Sequence, residues 1–257
     1  NYGRYLSLIF NCLGIIFSTL TCKKIRNDNS YLLVLALLSL NIFLIRYSQE
    51  MRPYSLMFFL SSINLYIFCK IGDKKEILSF NFFYFTTFVF FQMLMIISHP
   101  FCLIVFFSFS AYLGINYFKN KKNNKTLIMS FYFISTFTLI YLFFLLKNLG
   151  SFPDWINQPN IKFFTNFYFS KFFGSRILGL IHLVSFILLS WIFFKNVIKK
   201  NPIIIILYII IFLSYFLPIT YGYIFRPIIF PRYIIFVLIP IIILLAILSF
   251  EIKNDFI

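Results

Sequence analysis

Apolar residues run along this chain in long blocks separated by short polar breaks. Nine blocks, roughly residues 5–22, 29–46, 53–71, 80–97, 100–118, 127–146, 174–194, 203–221 and 232–250, carry the pattern. Each is close to the ~20 apolar residues that a helix needs to cross a bilayer. Backbone groups in lipid must be satisfied within the protein, so blocks of this length predict helices, and the run length excludes a β-barrel. The predicted fold class is all-α, a polytopic transmembrane helical bundle of about nine spans, forming one domain over 1–257.

The pattern lapses between the sixth and seventh blocks. Residues 147–175 mix Phe with Asn, Lys and Thr and are punctuated by Pro153, Pro159 and Gly174. An interfacial amphipathic helix around 160–172 is expected, with Trp155 at headgroup level. A loop that merely coats the bundle would carry the same residues.

Composition agrees with a membrane setting. At 257 residues, 61% hydrophobic and 12% charged, with a mean hydropathy of +0.91, a water-soluble domain would have no way to hide its apolar surface. The net charge of +16 comes largely from lysines in alternate loops, at Lys23/Lys24, Lys70/Lys74/Lys75, Lys119/Lys121/Lys122/Lys125 and Lys195/Lys199/Lys200. The positive-inside rule places these loops in the cytoplasm. The run KNKKNNK lacks interleaved stacking residues, which excludes nucleic acid as a partner. Cys12, Cys22, Cys69 and Cys102 lie in or beside apolar blocks without metal-ligand spacing and read as buried thiols. The chain enters a span almost directly after Asn1. With an odd number of spans and the first residue outside by the charge rule, a further helix and outer loop are expected upstream.

Lysine and arginine sort differently on this topology. Thirteen of 16 lysines fall inside, whereas six of seven arginines, all but Arg26, fall outside. Lysine serves as a generic cytoplasmic anchor, while the guanidinium fork suits bidentate phosphate or carboxylate contacts. Any one of these arginines has an ordinary role available, snorkelling at a helix end. As a set, held against the charge rule, they point to an anionic group at the outer surface.

The densest cluster is RYSQEMRPY, residues 46–54. Pro53 suits the first turn of a helix, and Glu50 just before it would face that helix N-terminus. This accounts for Glu50 but not for Arg46, Arg52 and Tyr54 in the same corner. A carboxylate between two guanidinium groups stays ionised and held in place. His99, in Ser98-His99-Pro100, occupies a tight outer turn where a neutral imidazole can bond a sugar or phosphate. His182 falls inside the seventh block and is expected to bond across a helix interface. Near the end, in YGYIFRPIIFPRY, Pro227 and Pro231 stiffen the connection and hold Arg226 and Arg232 near the outer headgroups, with Arg232-Tyr233 opening the last block.

The order of these features resembles the polytopic GT-C glycosyltransferases related to protein mannosyltransferases and to bacterial aminoarabinose transferases. The likeness rests on Arg4 opening an early span, Ser48-Gln49-Glu50-Met51-Arg52-Pro53-Tyr54 between spans, the Ser98-His99-Pro100 turn, and Pro231-Arg232-Tyr233 before a helix containing Pro240. It covers nearly the whole chain, and the glutamate–arginine–tyrosine segment is its most specific part. The resemblance implies a GT-C-like fold and transfer of a sugar from a polyprenyl-phosphate-linked donor to a lipid, glycan or protein acceptor. The transfer would take place on the outer face of a bacterial inner membrane. Arg4, Arg46, Glu50, Arg52, Tyr54, His99, Arg232 and Tyr233 would bind substrate. In that family the catalytic acid lies in the first outer loop, so here it is expected upstream of Asn1, with Glu50 the candidate carboxylate in this chain. No cofactor is demanded, and a divalent metal is compatible. A transporter or flippase of a lipid-linked or anionic solute is the alternative. It would be marked by midplane charges, broken helices and repeated halves, whereas the block interiors show His182 and scattered amides such as Asn41, Asn64 and Gln92, without repeated halves. A non-catalytic relative is the third reading.

Overall fold

The computed structural model describes residues 2–72, 81–118, 125–147, 156 and 168–255, and among these the regular structure is entirely helical. The helices are α1 (Tyr2–Ile25), α2 (Ser30–Ser39), α3 (Ile42–Ser48), α4 (Tyr54–Gly72), α5 (Phe82–Ser98), α6 (Leu103–Phe118), α7 (Lys125–Lys147), α8 (Tyr168–Phe172), α9 (Arg176–Lys200), α10 (Ile205–Ile224) and α11 (Leu238–Asp255). Short 3-10 segments at Pro100–Cys102, Pro202–Ile204 and Pro231–Val237 precede α6, α10 and α11. Local chemistry sets these ends. Asn81 and Ser175 accept from the Tyr84 and Leu178 amides at 3.1 Å, capping α5 and α9. Proline opens each 3-10 segment, where a missing N–H leaves nothing unpaired. Lysines close α1, α4 and α9, facing the negative ends of the helix dipoles.

Among the described residues, seven helices are long and apolar enough to cross a membrane, which defines a multi-pass helical membrane protein. Two of the nine expected spans depart from this. The fourth block folds as Phe82–Ser98, shorter than a full crossing length. The second block is broken: α2 and α3 meet at 55°. The cause of the break is Asn41, whose side chain accepts from the Leu44 amide at 3.0 Å and donates to the Phe172 carbonyl at 2.9 Å. Within an apolar run this residue looks like a tolerated polar position. In the fold it starts a second helix. Of the predicted interfacial helix around 160–172, only Tyr168–Phe172 is helical among the described residues; Trp155 lies outside them.

Helix α11 is the centre of the bundle. Its span is 83% buried, against 11% for α9, which presents Ile181, Leu188 and Trp191 outward. A helix buried all round belongs in a core, and one apolar on an open face belongs against lipid. Small residues allow close packing elsewhere. A Cβ on Gly14 would stand 2.4 Å from the Phe58 ring, and beside it Ser18 and Ser62 share a hydrogen bond of 3.0 Å between α1 and α4. A Cβ on Gly179 would meet the Ser170 backbone at 2.4 Å, so α8 lies directly on α9. Phe68 stacks on Phe109 at 4.5 Å, joining α4 to α6.

Two further expectations are corrected. Cys12 is exposed, while Cys22, Cys69 and Cys102 are buried as foreseen. Among the described residues His182 makes no hydrogen bond across an interface: its Nδ1 pairs with the Leu178 carbonyl one turn back, at 2.7 Å, and its ring stacks on Phe173 at 4.0 Å.

The chain turns bring alternate helix termini to a common end. At one end, Arg26 pairs with both Asp28 and Glu251, Lys200 reaches Glu251 at 2.6 Å, and the Asn201 amide donates to the Ile25 carbonyl at 2.9 Å. The Lys70 ammonium sits 5.3 Å from the Tyr84 ring, and the Asn81 amide bonds Thr126 at 3.0 Å. This is the lysine end. The opposite end gathers the start of α1, the 49–53 turn, the His99 turn and the start of the last helix.

Candidate functional site

At the arginine end the 49–53 turn is tied down from both sides. The Ser7 hydroxyl donates to the Glu50 carbonyl at 2.9 Å, and the Ser55 hydroxyl donates to the Tyr47 carbonyl at 3.0 Å. Gly3 lets Met51 approach so closely that a Cβ there would fall 2.4 Å from the methionine methyl. So fastened, the Glu50 carboxylate lies between two guanidinium groups. Arg46 Nε is 3.9 Å from Oε1 and Arg52 Nε is 3.8 Å from Oε2. These are loose contacts. Arg46 is 73% and Arg52 53% exposed, so water screens the pairs and leaves both forks open to another anion.

An aromatic chain links this corner to the last helix. The Arg46 guanidinium lies 6.0 Å from the Tyr47 ring, and Tyr47 meets Tyr54 edge to face at 5.2 Å. Tyr54 is 6.3 Å from Tyr233, which in turn is 5.2 Å from His99 and 5.4 Å from Phe101. The Arg232 guanidinium is held over three of these rings, Phe230 at 4.6 Å, Tyr233 at 5.5 Å and Tyr54 at 5.6 Å. Cation–π contacts of this kind hold a guanidinium at a fixed depth without neutralising it.

His99 adopts extended backbone at the end of α5, and its Nδ1 accepts from the Phe101 amide at 3.3 Å. Burial pushes its pKa down from the usual 6.5 to about 4, with no charged partner contributing. An imidazole in that setting is neutral at physiological pH.

Of the eight residues singled out in sequence, seven therefore form one continuous set: Arg46, Glu50, Arg52, Tyr54, His99, Arg232 and Tyr233. Arg4 is at the same end, one turn before Ser7 on α1, but is exposed and has no ion pair among the described residues. Pattern reasoning overlooked Tyr47, Phe101, Phe230 and Ser7. Tyr47 follows Arg46 directly and Phe230 lies two positions before Arg232, so their residue type was visible. Ser7 shares a helix face with Gly3, a one-turn spacing that signals close approach only once the facing turn is known.

The whole cluster belongs to a multi-pass helical membrane protein with an arginine-rich, aromatic-lined rim at one end. Comparison with protein-family models, with curated proteins and with solved structures finds no match to this chain.

Among the described residues no group of three or more His, Cys, Asp or Glu side chains is placed to hold a metal ion. The chemistry available at the rim is anion binding by three guanidinium groups, hydrogen bonding by phenols and a neutral imidazole, and one carboxylate.

Proposed function

We propose that this protein is a membrane glycosyltransferase, GT-C-like in architecture, that moves a sugar from a polyprenyl-phosphate-linked donor to a lipid, glycan or protein acceptor. The reaction is assigned to the arginine end, facing the outside of a bacterial plasma membrane. The observation that carries this reading is the joining of Arg46, Arg52 and Arg232 to Glu50, Tyr54, Tyr233 and His99 in one rim. A donor whose isoprenoid chain lies in the bilayer leaves a phosphate at headgroup depth, and cations held there stabilise that leaving charge. Glu50 accepts a proton or orients the acceptor hydroxyl, a role carboxylates fill in transfers of this kind. The same carboxylate also holds Arg46 and Arg52 in position.

The test is transfer by full-length protein from defined polyprenyl-phosphate sugars, comparing wild type with Glu50→Gln and Arg232→Ala. Both variants are expected to insert normally and to lose transfer. Unchanged turnover in both refutes these roles.

One observation favours the second reading, a transporter or flippase of lipid-linked or anionic solutes. The span formed by α2 and α3 is broken at Asn41, and discontinuous helices are a recurring feature of transporter binding sites. Purified protein that moves a lipid-linked sugar across vesicles without transferring it decides for that reading.

A further inference from the structure

The rim contains cations, a carboxylate and phenols, and His99 is the one group whose local bonding fixes what it offers a ligand. Its Nδ1 is occupied as an acceptor by the Phe101 amide. In a neutral imidazole the proton is then on Nε2, which makes that nitrogen a donor. Among the described residues no hydrogen bond of Nε2 is formed, and His99 is partly exposed. The ring packs in a triad with Phe101 at 5.6 Å and Tyr233 at 5.2 Å, and Pro100 restricts the backbone that carries it. The titratable groups nearby are the Tyr233 phenol and, across that ring, Arg232 and Tyr54. No carboxylate contacts the imidazole among the described residues.

We propose that His99 is a fixed, uncharged Nε2–H donor to an oxygen of the bound headgroup, either a phosphoryl oxygen or a sugar hydroxyl, and sets specificity there rather than moving a proton. This rests on the transferase reading of the rim. It gives the site a division of labour: guanidinium groups carry the charge, and the imidazole reads an oxygen at one place. A donor that is already oriented loses little on binding, and a ligand lacking the matching oxygen leaves it unpaired.

The first experiment needs no ligand. Full-chain protein with 15N-labelled histidine is placed in lipid nanodiscs, and a His182→Gln variant assigns the two rings. The expected spectrum shows a proton on Nε2 and no titration from about pH 5.5 to 8, the range in which an ordinary histidine changes charge. A proton on Nδ1, or titration within that range, overturns the proposal.

The second experiment measures binding of a long-chain polyprenyl phosphate and of the same lipid carrying a hexose. His99→Phe keeps the ring and removes the donor, while His99→Gln restores an N–H. His99→Phe is expected to weaken binding about tenfold, the effect of one lost hydrogen bond, with His99→Gln recovering part of it. Loss with both lipids places the accepting oxygen on the phosphate, and loss only with the glycosylated lipid places it on the sugar. If wild type binds while His99→Phe binds both lipids equally well, the donor role fails and the transferase reading stands. If wild type binds neither lipid, the transferase reading fails and the inference falls with it.

Discussion

Glu251 is 1% exposed at the lysine end, paired with Arg26 and, at 2.6 Å, with Lys200. It ties the end of α11 to the ends of α1 and α9, and Asp28 on the other side of Arg26 also accepts from the Ser30 amide at 2.9 Å. The members of this cluster are not equivalent. Arg26→Met leaves a buried carboxylate with Lys200 alone, whose side chain is 58% exposed. Removing one member of a buried pair in this way costs about 3–5 kcal/mol. Glu251→Gln leaves Arg26 with Asp28 and the Ile247 carbonyl, so the loss is that of charge-assisted hydrogen bonds, about 1.5–3 kcal/mol. Lys200→Met removes a largely solvated partner and costs under about 1 kcal/mol. Replacing both buried charges, in Arg26→Met with Glu251→Leu, recovers most of the Arg26→Met loss, because neither charge is then left alone. The assay is unfolding free energy from SDS titration in mixed micelles, followed by circular dichroism. The expected order of damage is Arg26→Met, then Glu251→Gln, then Lys200→Met. A reversed order, or a double variant worse than Arg26→Met, refutes the view of Glu251 as a buried charge that depends on Arg26.

Asn41→Leu removes both the cap on α3 and the bond to Phe172, so it should destabilise the protein by about 1–2 kcal/mol. It should also reduce the 55° bend; an unchanged spin-label distance between α2 and α3 would show that Asn41 is not its cause. Gly179→Val should lift α8 away from α9, because the Cβ position is 2.4 Å from the Ser170 backbone, and loss of crosslinking between engineered cysteines on α8 and α9 reports it. Membrane-impermeant maleimide should label Arg52→Cys and Arg232→Cys from one side and Lys200→Cys from the other; labelling of the first two from opposite sides would dismantle the rim. His99 adds a pH dependence. Its folded pKa lies below 6.5, so its stabilising contribution is whole above that value and is lost as pH falls toward about 4. The full loss is on the order of 3 kcal/mol, and His99→Gln should flatten stability across this window.

Much of the architecture was legible in the blocks of apolar residues, since runs of that length satisfy their backbone in lipid as helices. The division of basic residues was legible too: Lys70, Arg26 and Lys200 gather at one end, and Arg46, Arg52 and Arg232 at the other. The break at Asn41 was not, because its effect depends on the Phe172 carbonyl 131 positions away. Periodicity records what a residue is, not which distant carbonyl waits for its amide. The same holds for Glu251. Near the end of an apolar helix it looks like a polar boundary, and only the convergence of α1, α9 and α11 turns it into a buried ionic junction.

Within the rim, RYSQEMRPY supplied its own charges, and their mutual nearness follows from the short spacing. That Arg232 lies over Tyr54, and His99 beside Tyr233, required α4, α5 and α11 to end at one level. The sequence by itself determined a lipid-embedded helical chain, its helix-forming blocks and the segregation of arginine from lysine, because these depend on local composition and on the cost of placing charge in hydrocarbon. Tertiary structure alone decided which helix is central, where a span breaks and which imidazole nitrogen stays available, because each depends on a partner brought close by packing rather than by chain order.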